Sequence, residues 1–126
     1  MIETGIKGHH EQTVTPAMSA ARVGSGLVDV FATPMLVALV EQTCYESVLS
    51  HLDVGQGTVG TMVNVSHLSA TPIGKRVWCD SELTEVDRRR LVFSVKAYDE
   101  AGLIGEGTHE RFVIDTEKFM AKISAK

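Results

Sequence analysis

Along this chain the spacing of apolar positions changes from a helical to a twofold period. Met35-Leu36-Val37-Ala38-Leu39-Val40 is a continuous apolar run. Past Glu41 it goes on through Cys44, Tyr45 and Val48 to about Leu52. Thr33 precedes the run as an N-cap, with Pro34 at the first helical position, where a missing N–H costs nothing. The stop falls before Gly55. Such a helix is apolar around most of its circumference and needs cover on more than one side. Beyond it the pattern is that of strands. Val59 to Ala70 is rich in Val and Thr, Thr71-Pro72-Ile73-Gly74 supplies a turn, and Lys75 to Val86 is the next strand. Asp87-Arg88-Arg89 turns the chain into a segment where Leu91, Phe93, Val95 and Ala97 alternate with Val92, Ser94, Lys96 and Tyr98. Glu100-Ala101-Gly102 turns it again into a last strand, Leu103 to Ile114. Ahead of the helix, residues 1–11 read as a loose polar start. Gln12 to Met18 reads as a short edge strand despite Pro16, and Ala21 to Asp29, containing Gly24-Ser25-Gly26, as a flexible connection.

The order is strand, helix, four strands, and the short connections predict that the four pair as an antiparallel meander. A strongly curved sheet wrapped around one central helix meets the helix's need for cover. That α+β architecture is the hot-dog fold, which usually pairs two sheets edge to edge in a dimer. The alternative is an α+β roll with the helix on one flat face.

The chain's 126 residues suffice for one domain over 1–126 with a core that needs no staples. A net charge of −4 and a pI near 5.7 argue against a broad nucleic-acid-binding face, which needs clustered cations. Two distant cysteines, Cys44 and Cys79, form neither a disulfide framework nor a zinc spacing. No signal peptide is apparent, and the longest apolar run is too short to cross a bilayer. The expectation is a soluble, cytoplasmic protein without nucleic-acid or membrane partners.

Thr33, Glu41 and His67 carry the candidate chemistry. A carboxylate in apolar surroundings is costly unless paired, hydrogen-bonded or protonated. His67, in Val63-Asn64-Val65-Ser66-His67, is expected to be partly buried. A hydroxyl, a carboxylate and an imidazole near one core are the parts needed to hydrolyse an acyl group. Each also has a bland reading. Thr33 is a helix cap, Glu41 belongs to a solvated stripe with Gln42 or Glu46, and His67 is a satisfied core histidine. His9, His10, His51 and His109 are scattered without a metal-ligand pattern, and no metal is implied. Gly55-Gln56-Gly57-Thr58-Val59-Gly60 has the letters of a dinucleotide fingerprint but follows a helix and opens a strand, the reverse of what that site needs. Arg88-Arg89-Arg90 reads as a solvated hairpin tip, with a contact to coenzyme A phosphates as the alternative.

Taken together, Val30-Phe31-Ala32-Thr33, Glu41, Gly55-Gln56-Gly57-Thr58-Val59-Gly60-Thr61, Ser66-His67, Ala70-Thr71-Pro72 and Gly107-Thr108-His109-Glu110-Arg111 resemble the fluoroacetyl-CoA thioesterase-like family of hot-dog hydrolases. The similarity runs from about Val30 to Glu117-Lys118-Phe119. It implies hydrolysis of a small acyl-CoA thioester by a homodimer without a cofactor. The family's catalytic threonine, glutamate and histidine fall on Thr33, Glu41 and His67. Gly60 matches a glycine that lends a backbone N–H to the thioester across the dimer interface. Arg111 matches a pocket arginine, and Phe31 is placed with the substrate-binding residues. The family's fluoroacetate-selective member has an aromatic-rich lid before its threonine. Here Ala21 to Val30 is shorter and has no aromatic before Phe31, so broad hydrolysis of short or aromatic acyl-CoAs is expected. A hot-dog dehydratase and a non-catalytic acyl-CoA sensor are the rival readings.

Overall fold

Six apolar side chains of the long helix or its N-cap, Ala32, Leu36, Leu39, Val40, Cys44 and Val48, are buried almost completely, and the rest of the fold is arranged to cover them. The computed structural model describes residues 2–126. Its elements are β1 (Lys7–Thr13), α1 (Ala20–Val23), α2 (Thr33–Val48), β2 (Gln56–His67), β3 (Arg76–Asp87), β4 (Arg90–Asp99), β5 (Gly102–Asp115) and α3 (Thr116–Ile123). The five strands form one antiparallel sheet in the order β1-β3-β4-β5-β2. Helix α2 touches all five, which a flat-faced roll would not allow, so the sheet wraps the helix as in a hot-dog fold. Inward residues alternate along each strand: Val77, Cys79, Ser81 and Leu83 on β3, then Leu91, Phe93, Val95 and Ala97 on β4. Each large apolar side chain buried here contributes about 2 kcal/mol of transfer free energy. No helix among the described residues is long and apolar enough to cross a membrane.

Several expectations need correction. The first strand lies at Lys7–Thr13, mostly within the stretch expected to be loose and sharing only Gln12 and Thr13 with the expected strand, and Pro16 opens a single 3₁₀ turn instead. Strand pairing with β3 from Lys7↔Glu82 to Thr13↔Arg76 outweighs the polar composition of this segment. Part of the expected flexible connection is helical: α1 is capped by the Ser19 side chain, which accepts from the Arg22 N–H, and stopped by Gly24 at φ 81°. Helix α3 was not anticipated; at eight residues it is too short for its period to stand out.

The meander is the largest correction. Strands β3, β4 and β5 form one, but β2 pairs with β5 at the far edge. Residues 68–75 carry the chain back across three strand spacings, about 14 Å, and eight extended residues reach about 26 Å. Val30 bridges to Pro72 along this crossing, and the Phe31 N–H donates to the Thr71 carbonyl at 2.8 Å. The crossing is thereby tied to the segment that opens α2.

The β2–β5 pairing depends on Gly107. A Cβ there would fall on the Asn64 carbonyl oxygen and within 2.8 Å of the Val65 Cα, both backbone atoms of β2. Gly107→Ala is expected to cost about 2 kcal/mol or more, a fall of roughly 6 °C or more in Tm. Gly26→Ala, whose Cβ would meet only the Ala20 Cβ at 3.4 Å, serves as the control. Equal melting temperatures for the two variants would show that the strand yields.

Candidate active site

Ala32, not Thr33, is the N-cap of α2, and Thr33 and Pro34 occupy its first turn. The helix entry is fixed by backbone pairing, since the Ala32 N–H donates to the Met18 carbonyl at 2.9 Å. The Thr33 hydroxyl is therefore not spent on capping. Its Oγ1 shares a hydrogen bond of 2.8 Å with Nδ1 of His67, the last residue of β2. The pair faces a cleft of about 280 Å³ whose wall includes Val30, Phe31, Leu68 and Ala70. Phe31 is buried and meets the His67 ring edge-on, with centroids 6.4 Å apart. Nε2 of His67 is buried and has no hydrogen-bond partner among the described residues. Burial pushes the His67 imidazolium down, partly opposed by a backbone group at Ser69. The ring is thus held neutral at pH 7, able to take up a proton when a partner arrives.

Glu41 sits elsewhere. Eight residues separate it from Thr33, about 12 Å along the helix axis. Its Oε2 accepts from Nη1 of Arg111 at 3.1 Å. Arg111 is itself clamped: Nε donates to Thr58 Oγ1 at 2.8 Å, and Nη2 to the Thr58 carbonyl at 3.1 Å. The Tyr45 ring lies 5.8 Å from its guanidinium carbon. Behind it is His109, fully buried and stacked on Phe93, with Nδ1 donating to the Met62 carbonyl at 2.8 Å. Gly60 makes the room, because a Cβ there would fall on Glu41 Oε2 and lie 3.2 Å from Arg111 Nη1. Within one chain the structure thus joins Thr33 with His67, and Glu41 with Arg111 and Gly60, as two clusters.

Both clusters lie on the inner face of β2, although Gly60 and His67 differ in parity. The pairing shifts register between Gly60↔Arg111 and Met62↔Glu110, so one extra residue enters β2. After this bulge Val63, Val65 and His67 pair with His109, Gly107 and Gly105, the inward row of β5. Without the extra residue, His67 would point outward.

His109 was passed over in the sequence as one of several scattered histidines. The signal was its two-residue spacing from Arg111, which places both on one face of a strand. Thr58 lacked even that signal, because its role depends on β2 lying beside β5. Arg88 and Arg89 line a hollow with Gln56, at the end of β2 opposite His67. Eleven residues of strand, about 36 Å, separate Gln56 from His67, so within one chain the hairpin tip lies away from the cleft. Arg89 pairs with Asp115, and Arg90 with Glu85 and Glu110.

Buried His109 and half-buried His67 give stability a pH dependence of definite sign. Burial lowers the folded-state pKa of both His67 and His109; for His109 the Met62 carbonyl, Glu41 and Glu110 oppose this, while Arg111 adds to it. The native state then binds fewer protons than the unfolded chain. Stability is full above the unfolded histidine value of about 6.5 and falls as pH drops toward the lowered folded values. Urea midpoints are expected to decrease between pH 7.5 and pH 5.5, and to decrease less in His109→Gln. A slope unchanged by that substitution would show that His109 takes no part in it.

The sequence model of a family described as fluoroacetyl-CoA-specific thioesterase matches residues 14–117. A fluoroacetyl-CoA thioesterase of Streptantibioticus cattleyicolor is 45% identical over 98 residues, 78% of this chain and 70% of that protein. The solved structure of fluoroacetyl-CoA thioesterase FlK superposes with a TM-score of 0.95 at 36% identity, covering 100% of this chain and 98% of that one. A Thermus thermophilus protein described as a thioesterase superfamily member superposes at 0.91 with 29% identity, covering 99% and 93%. By sequence and by fold, the chain belongs to the fluoroacetyl-CoA-specific thioesterase family.

Proposed function

We propose that this chain hydrolyses short acyl-CoA thioesters to the free acid and coenzyme A, as a homodimer whose two sites each draw on both copies. The observation that carries the reading is the Thr33–His67 hydrogen bond at the mouth of a cleft, beside the N-terminus of α2. Helix N-terminal amides favour the negative charge that develops on a thioester oxygen. Thr33 polarises the carbonyl, and His67, neutral at rest, orients the attacking group or relays to the leaving thiolate a proton that it has first taken up from water. Glu41 activates water as general base, or attacks directly to give a transient mixed anhydride. A solved FlK variant contains fluoroacetate and CoA, which supports an acyl-CoA as the substrate class.

The gap between the two clusters supports the dimer. Strand β2 is an edge strand of twelve residues, and from Gln56 to Ser66 it carries no charge and no proline. Long uncharged edges pair with another chain unless blocked. An antiparallel pairing that sets Gly60 of one copy opposite His67 of the other brings Glu41 and the Gly60 N–H of one copy toward the Thr33–His67 pair of its partner. Equimolar mixing and refolding of inactive His67→Ala and Glu41→Gln is expected to restore about a quarter of wild-type activity, since half the dimers then carry one intact site of two. A mixture that stays inactive would place the whole site within one chain.

The activity is tested by release of free thiol with DTNB over acetyl-, fluoroacetyl-, butyryl- and phenylacetyl-CoA. Both protein thiols are buried, and burial pushes them up, Cys79 to about 11, so the signal reports product. Hydration of an enoyl-CoA without thiol release would indicate a dehydratase, and binding with neither a sensor. Glu41→Gln keeps the shape and removes the base, so kcat is expected to fall at least about a hundredfold with KM largely kept. Near-normal turnover would make Glu41 structural. The segment before Phe31 carries Leu27 and Val28, 96% and 62% exposed, and no aromatic ring. Such a lid is expected to favour fluoroacetyl over acetyl by far less than about a thousandfold, or roughly 4 kcal/mol.

A further inference from the structure

We infer that His109 is a positioning residue that restricts Arg111 to one oxygen of Glu41 and so keeps the other oxygen available for the reaction. This rests on the thioesterase reading above and names a further residue of that same site.

The guanidinium has five N–H bonds. Thr58 takes Nε–H and one Nη2–H, through its hydroxyl and its carbonyl. Of the two on Nη1, one goes to Glu41 Oε2 at 3.1 Å and the other to His109 Nε2, also at 3.1 Å. The tautomer follows from the partners. Nδ1 faces the Met62 carbonyl and carries the proton, so Nε2 presents the lone pair that Arg111 needs. Arginine and a carboxylate otherwise favour a two-point pairing through parallel N–H bonds. That pairing would engage both oxygens of Glu41 and weaken each as a base toward water or as a nucleophile toward a carbonyl. Here Thr58 fills the Nε–Nη2 edge, His109 takes one of the two Nη1–H bonds so that Glu41 has only the other, a single Nη2–H is left, and Oε1 of Glu41 has no hydrogen-bond partner among the described residues. The backing is rigid, because His109 has no exposed surface and its ring stacks on Phe93 with centroids 6.3 Å apart.

Three substitutions separate this role from simple packing. His109→Phe keeps the ring and loses both hydrogen bonds. His109→Asn retains an amide at the Nδ1 level, able to donate to Met62, but falls short of Arg111. His109→Gln can donate to Met62 and accept from Arg111. Phe and Asn are expected to lower kcat about tenfold or more with KM within about threefold, and Gln to stay within about threefold in kcat. In a Glu41→Gln background, adding His109→Asn should change the residual rate less than about twofold, because His109 acts through Glu41. Should the Phe variant fail to fold, Asn and Gln decide the matter. Wild-type kcat in Asn, an equal loss in Gln and Asn, or a further loss in the Glu41→Gln background would each overturn the assignment. A wild-type protein that releases no thiol from any acyl-CoA would instead sink the thioesterase reading, an outcome visible before any variant is made.

Discussion

The constraint on which this fold rests is that one helix must be covered nearly all round by a single sheet. Helix α2 can be enclosed only if the sheet curls, and it curls far enough only because β2 presses closely onto β5. Glycines make that approach possible: at Gly105 a Cβ would come within 3.0 Å of Leu36 and of the Ser66 carbonyl, and at Gly107 it would meet the backbone of β2. The same closure buries His109 and Arg111 at the β2–β5 seam. Buried polar groups must find partners inside the protein. Glu41, Thr58 and the Met62 carbonyl supply them, so the site polarity is built into the element that completes the wrap.

Much of the architecture was legible in the chain. The Met35–Val40 run with Pro34 ahead of it marked the helix, and the alternation of Leu91, Phe93, Val95 and Ala97 marked a strand with one buried face. What stayed hidden depends on neighbours. Strand β1 could not be read from Lys7–Thr13, because its burial comes from β3 and from helix side chains packed above Gly8, where an added Cβ would meet Ser81 and Ser47. The crossing of residues 68–75 looks like a turn, since sequence shows its length and its proline but not which edge it leaves from. At the site, the types of Thr33, Glu41 and His67 were visible. The separation of Glu41 from Thr33 follows from helix rise alone and could have been drawn from the numbering, whereas the place of His67 beside Thr33 depends on the sheet.

The two clusters differ in their environments. Thr33 and His67 sit where a helix end meets a strand end, a place with free amides and a half-buried imidazole whose Nε2 is shielded from water. Glu41 is in mid-helix, where no helix terminus helps it, and relies on a cation held by a strand. Within one chain the half-buried imidazole and the arginine-paired carboxylate are set apart by about two turns of helix, so each has its own surroundings.

The bulge in β2 has a consequence for how such a site can arise. Substitutions change what a strand position carries but never which face it points to. The inward aim of both Gly60 and His67 depends on an odd residue count between two positions that regular alternation would set on opposite faces. A sheet without that extra residue could gather the same side-chain types at the same helix and still present the imidazole to solvent. Only an insertion or deletion moves a chain between the two states, so within this fold the length of one edge strand, counted to the residue, is as much a part of the chemistry as the identity of any side chain on it.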